Sequence, residues 1–242
     1  MLGRLLEFSF PTADIGAAVK FYRAIGFADT ETRDVFDVPY QAMSNTTIAV
    51  GLYASPDMSA GPTFVRPNLD AWLKALRRLH VEPDFAELSD ETFNRAGFHD
   101  PNLLPVRLLE ARTFSPLPDT DDPVSAVGRF LELSVATHSL SDSASFWQSL
   151  GLETIEEGSD PTHWLRLTGH GLTIGFHEGM RFAPGLSFEA RGLDARMAFL
   201  DAKGLDLTDP VPFARLDQDS VTVRAPDGHP VFMLDAASEG DD

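Results

Sequence analysis

Apolar Leu6, Phe8 and Phe10 alternate with polar Glu7 and Ser9, the period-two pattern of a strand buried on one face. Asp14 then stands where a helix N-cap belongs, residues 17–25 read as helix, and Gly26 closes it. Short strands are expected around 40–44 and 46–53. A second unit begins with a strand near 63–66 and a helix from about 68 to 80. That helix carries Leu69, Trp72, Leu73, Leu76 and Leu79 on one face, and the unit ends in a strand at 105–109. The order returns as strand 131–135, helix 140–150 and strand 172–177, and again as strand 186–190, helix 193–203 and strand 230–234.

The repetition is also literal. Leu5-Leu6-Glu7-Phe8-Ser9-Phe10 returns 125 residues later as Phe130-Leu131-Glu132-Leu133-Ser134-Val135, and Phe21-Tyr22-Arg23-Ala24-Ile25-Gly26-Phe27 as Phe146-Trp147-Gln148-Ser149-Leu150-Gly151-Leu152. At the same offset, Pro105-Val106-Arg107-Leu108-Leu109-Glu110 becomes Pro230-Val231-Phe232-Met233-Leu234-Asp235. A constant offset over so much sequence is a tandem duplication. It predicts one domain over 1–112, with modules at about 4–54 and 61–112. A second covers 128–237, with modules at about 128–178 and 184–237. Residues 113–127 form the linker, rich in Pro and Asp at its start, and 238–242 a disordered acidic tail.

Composition narrows the chemistry. With no cysteine, disulfides, thiolate metal sites and cysteine nucleophiles are all excluded. No long apolar segment reads as a signal peptide or membrane span, so a cytoplasmic protein without membrane partners is expected. A formal net charge of −18 argues against a nucleic-acid partner. The charge is uneven, with 11 basic and 15 acidic residues up to Pro118 but 8 and 22 beyond it. That acidic second half suits a cationic ligand.

The strand, the Asp or Ser cap, Phe-Tyr or Phe-Trp, and then Ile-Gly-Phe or Leu-Gly-Leu resemble the opening module of the vicinal oxygen chelate superfamily. Asp100-Pro101-Asn102 and Pro226-Asp227-Gly228, each before a last strand, resemble its closing module. The superfamily includes glyoxalase I, bleomycin-resistance proteins and extradiol dioxygenases. The resemblance implies an α+β fold of four βαβββ modules, whose paired sheets curl around two cavities. It leaves open whether modules pair within or across the duplication.

Period two then sorts the side chains. Phe8, Phe10, Leu133 and Val135 face the helices, so Glu7, Ser9, Glu132 and Ser134 line the cavities. In metal-dependent members of the superfamily, His, Gln or Glu on first and last strands hold the ion. Aligned by motif, the other such positions fall near Gly61 and Gly185 and on Gly51, Arg107, Gly175 and Phe232, none a metal ligand. No cofactor is therefore expected, with a divalent metal as the disfavoured alternative. Arg107 offers a bridge to Glu7 or Glu132 in place of an ion, or an anchor for an anionic group. Glu132, His177 and Glu189 are candidates to converge for acid–base work, with Glu132 as the catalytic group. Tyr53, the counterpart of His177, and Trp164 complete the candidate ligand-binding set.

The resemblance implies two functions. One is metal-independent binding of a small molecule, cationic or amphipathic, by a monomer whose halves replace a dimer. The alternative is a lyase, isomerase or dioxygenase using a cavity glutamate with or without a metal.

Overall fold

A computed structural model describes residues 2–30, 38–45, 47–55, 58–89, 94–111 and 125–236. Most of the expected linker, residues 113–124, and the expected tail, 238–242, lie outside the described residues.

The first half runs β1 (Arg4–Pro11), α1 (Ile15–Ala24), β2 (Ala28–Thr30), β3 (Tyr40–Ser44), β4 (Ala49–Tyr53), β5 (Gly61–Arg66), α2 (Leu69–Arg78), β6 (Phe85–Glu87), β7 (Arg95–His99) and β8 (Pro105–Glu110). The second runs β9 (Arg129–Thr137), α3 (Leu140–Ser149), β10 (Glu153–Gly158), β11 (Trp164–Gly169), β12 (Leu172–Glu178), β13 (Gly185–Ala190), α4 (Leu193–Asp201), β14 (Leu207–Asp209), β15 (Ser220–Arg224) and β16 (Pro230–Asp235). These are four βαβββ modules. Each half forms one eight-stranded sheet, ordered β2-β3-β4-β1-β5-β8-β7-β6 and β10-β11-β12-β9-β13-β16-β15-β14. Modules therefore pair within each half, through antiparallel β1–β5 and β9–β13.

Capping explains where three helices begin. Asp14, Asn68 and Ser139 accept backbone N–H groups from Ala17, Ala71 and Asp142, satisfying donors that the first helical turn leaves open. Gly192, in the left-handed region at φ 67°, starts α4 without a side-chain cap.

The core lies between the helices and one face of each sheet. Phe8 and Phe10 are buried there beside Tyr22 and Phe27, and Leu133 and Val135 beside Trp147 and Leu150. It is continuous across the duplication, because Phe130 packs on Phe8 at 5.5 Å and on Phe188 at 5.8 Å between ring centroids. Polar contacts stitch the seam. Leu5 N donates to His170 O (2.8 Å), Trp147 Nε1 to Asp100 Oδ2 (3.1 Å), and His229 Nε2 lies 3.2 Å from Pro11 O.

Both copies also keep the same irregularity. The register slips between Leu5 and Glu7 where β1 meets β5, and at the equivalent point where β9 meets β13, leaving Leu6 and Leu131 as the bulged residues. Beyond each bulge, Glu7 stands opposite Thr63 and Glu132 opposite Ser187.

Candidate functional site

Glu7 is 2% exposed, so its carboxyl depends on the protein for partners. Ser9 Oγ (2.8 Å) and Tyr53 OH (2.7 Å) donate to Oε1, and Tyr40 OH donates to Oε2. Ser9 Oγ is also 2.7 Å from Thr63 Oγ1. Tyr40 and Tyr53 are directly opposed on β3 and β4, with ring centroids 4.7 Å apart. Burial pushes the Glu7 carboxyl above the usual carboxylate range, against the lowering pull of the Tyr40, Tyr53 and Ser9 hydroxyls and the Arg107 charge. Burial, with Glu7 alongside, pushes the Tyr53 phenol up as well.

Glu132, 1% exposed, repeats the position with different partners. Ser134 Oγ donates to Oε1 at 2.7 Å and lies 2.6 Å from Ser187 Oγ, copying the hydroxyl relay of the first half. His177 Nε2 is 2.8 Å from Oε1, and Arg166 Nε donates to Oε2 at 2.6 Å while its Nη1 reaches Glu156. Burial alone would push Glu132 up. His177, Arg166 and Ser134 together outweigh it and hold the carboxyl below the usual range. Strand pairing makes the divergence explicit: Tyr53 corresponds to His177, Tyr40 to Trp164, and Ala42 to Arg166.

A glycine makes room for each carboxyl. A Cβ on Gly51 would lie 2.1 Å from Glu7 Oε1, and one on Gly175 would lie 2.1 Å from Glu132 Cδ.

Several expectations need correction. Arg107 bridges neither glutamate. Its Nη2 donates to the Ser59 carbonyl, and it reaches Glu7 only through its charge. The arginine that does bridge is Arg166, two residues along β11 from the candidate Trp164. Glu189 does not converge with Glu132 and His177. The bulge at Leu131 brings Arg129 opposite it, and the two pair at 2.8 Å. Gly61 and Gly185 face Ser9 and Ser134, so the positions opposite the glutamates carry Thr63 and Ser187. Tyr40 carries no signal of its own in the sequence, yet its place opposite Tyr53 brings its hydroxyl to Glu7. Trp164 lies under Arg166, with the guanidinium carbon 5.5 Å from its ring centroid. Glu132 and Glu189, expected to attract a cationic ligand, are already paired with Arg166 and Arg129.

In the second half this polar cluster is closed by aromatic rings. Phe213 stacks on His177 at 3.9 Å, and Phe182 and Phe232 pack against Phe213 at 5.0 and 5.1 Å. A separate open groove of ≈ 540 Å³ lies between Ser125–Ala126 and α4; it is lined by Arg191, Arg196 and Phe199 and by no residue of either cluster.

Neither donor set fits a metal ion. Three hydroxyl protons point at Glu7, and a guanidinium occupies the Glu132 oxygen that an ion would need. Among the described residues, no group of three or more His, Cys, Asp or Glu is placed to hold one. No helix among the described residues is long and apolar enough to cross a membrane.

No protein-family model and no curated protein matches the chain. Solved structures do. A catechol 2,3-dioxygenase aligns over 97% of this chain and 88% of its own, at 13% identity and a TM-score of 0.61. The 2,3-dioxygenase LapB from a Pseudomonas species aligns over 98% and 94%, at 13% identity and 0.64. An extradiol ring-cleaving dioxygenase from Brevibacterium fuscum aligns over 96% and 71%, at 13% identity and 0.65. With two sheets of paired βαβββ modules, the chain has the fold of the vicinal oxygen chelate superfamily.

Proposed function

We propose that this protein receives a small organic molecule on the concave side of its first sheet, at Glu7, Tyr40, Tyr53 and Arg107, without a resident metal. The observation that carries the reading is the donor set. Where an ion would sit, each glutamate is held by the chain's own hydroxyl, imidazole or guanidinium groups. The first half is favoured because aromatic rings fill the equivalent space in the second. Ser9 and Thr63 support Glu7 there, as Ser134 and Ser187 support Glu132. The protein acts as a monomer, its fused halves taking the place of two subunits.

The binding test is a melting-temperature screen of small organic molecules run in EDTA, followed by the best ligand against Glu7→Gln. A ligand that stabilises in EDTA and loses its effect in the variant supports the reading. Stabilisation that appears only with added metal contradicts it.

A second reading, a lyase, isomerase or dioxygenase that uses a cavity glutamate with or without a divalent metal, is supported by the likeness in fold to extradiol dioxygenases. One observation bears on which glutamate would move a proton. A general base works best with a pKa near the working pH. Glu7 is pushed up by burial, whereas Glu132 is held down and is the weaker base. If the protein is an enzyme, Glu7 rather than Glu132 carries the proton. Turnover in EDTA that survives Glu132→Gln and is lost in Glu7→Gln is the expected result.

A further inference from the structure

All three hydroxyl donors around Glu7 point at its carboxyl, so that acceptor is filled and offers little to an incoming cation. The donor side is different. Arg107 uses Nη2 on the Ser59 carbonyl, while its Nη1 is buried with no hydrogen-bond partner. A buried N–H without an acceptor is uncommon and unfavourable, and a guanidinium is met best by an anionic oxygen.

Strand register places this donor. Glu7 faces Thr63, Thr63 faces Arg107, and Arg107 faces Gly97, in one row across β1, β5, β8 and β7. Gly97 has no side chain, and the Phe85 ring takes that space: a Cβ there would meet Phe85 Cε1 at 2.5 Å. Phe85 is 42% exposed, so an apolar ring stands half open to solvent beside the guanidinium. In the second half, Phe232 and Thr222 replace Arg107 and Gly97, and the feature is gone.

We infer that the first sheet binds an amphipathic organic anion, its carboxylate on Arg107 Nη1 and its apolar body against Phe85. This rests on the small-molecule reading above and supplies its ligand class. It reverses the expectation drawn from the net charge, because the local donor decides which group is accepted.

The test is an NMR titration of the full chain with benzoate, 2-naphthoate, benzamide, benzylamine and inorganic phosphate. Benzoate and naphthoate are expected to give saturable shifts near Arg107, with benzamide about tenfold weaker or worse, as for a charge-assisted bond lost. Arg107→Gln, shown to be folded by circular dichroism, should weaken both carboxylates by a similar factor, and Arg107→Lys should restore part of it. Phe85→Ala should weaken naphthoate and leave phosphate unchanged. Equal binding of benzoate and benzamide, or unchanged affinity in Arg107→Gln, overturns the inference. Phosphate binding as tightly as naphthoate overturns the amphipathic part. Benzylamine binding that is lost in Glu7→Gln overturns the anion while keeping the small-molecule reading. No saturable shift with any probe overturns both.

Discussion

Gly175 and Glu132 share one space: a Cβ on the glycine would sit 2.1 Å from the carboxyl carbon of the glutamate. The pair is duplicated at Gly51 and Glu7. In both halves the glycine on the last strand of a module is absent side chain made useful, since it gives a buried carboxyl a place to lie.

Gly175→Ala should therefore cost about 3–5 kcal/mol, because it both overpacks the site and displaces a paired buried charge. Urea unfolding measures this, and Gly51→Ala, which overpacks a carboxyl held by hydroxyls alone, should cost about 1–3 kcal/mol. A loss below about 0.5 kcal/mol, the range of an ordinary surface change, would mean the glutamates are free to lie elsewhere.

Much of this was legible beforehand. The constant repeat offset gave the modules, and period-two alternation put Glu7 and Glu132 opposite the helices. What escaped depended on contacts that local pattern does not encode. Arg166 has Ala42 as its counterpart, so the duplication gave it no echo. Glu189 follows the alternation correctly along β13, but the bulge at Leu131 changes what it faces. Tyr40 becomes informative only when β3 is set against β4 and its hydroxyl falls beside that of Tyr53.

Removing the guanidinium tests the second cluster. Arg166→Met leaves a buried carboxylate with His177 and Ser134 alone, and should cost about 3–5 kcal/mol. Adding Glu132→Leu should recover most of that loss, because the uncompensated charge goes with it. Chemical denaturation of the single and double variants reads both numbers.

The two glutamates should answer pH in opposite senses. Glu132 is held below its unfolded value of 4.5, so its contribution is complete above that pH and is lost as pH falls through the folded value. Glu7 is raised above 4.5, so its contribution is present below that pH and lost as pH rises through the folded value. The deficit of Glu132→Gln should shrink towards pH 3, and that of Glu7→Gln should shrink towards neutrality. Melting curves of the two variants between roughly pH 3 and 8, where the carboxyls titrate, give the comparison.

The seam between the halves carries its own acid response. Burial pulls His229 below its ordinary 6.5, against the Pro11 carbonyl and the Asp227 charge. Its contribution is complete above 6.5 and falls away as pH drops from there through the folded value. His229→Gln should flatten this part of the melting-temperature profile. An unchanged slope would show that folding leaves the imidazole titrating as it does in the unfolded chain.

The most direct measurement is metal content of the purified protein by plasma mass spectrometry, with melting followed as Mn²⁺, Fe²⁺, Ni²⁺ and Zn²⁺ are added. The account predicts metal well below one ion per chain and no shift with any of the four. One ion per chain, or stabilisation by one metal that disappears in Glu132→Gln, would contradict it and return the cavity glutamate to the role of a ligand.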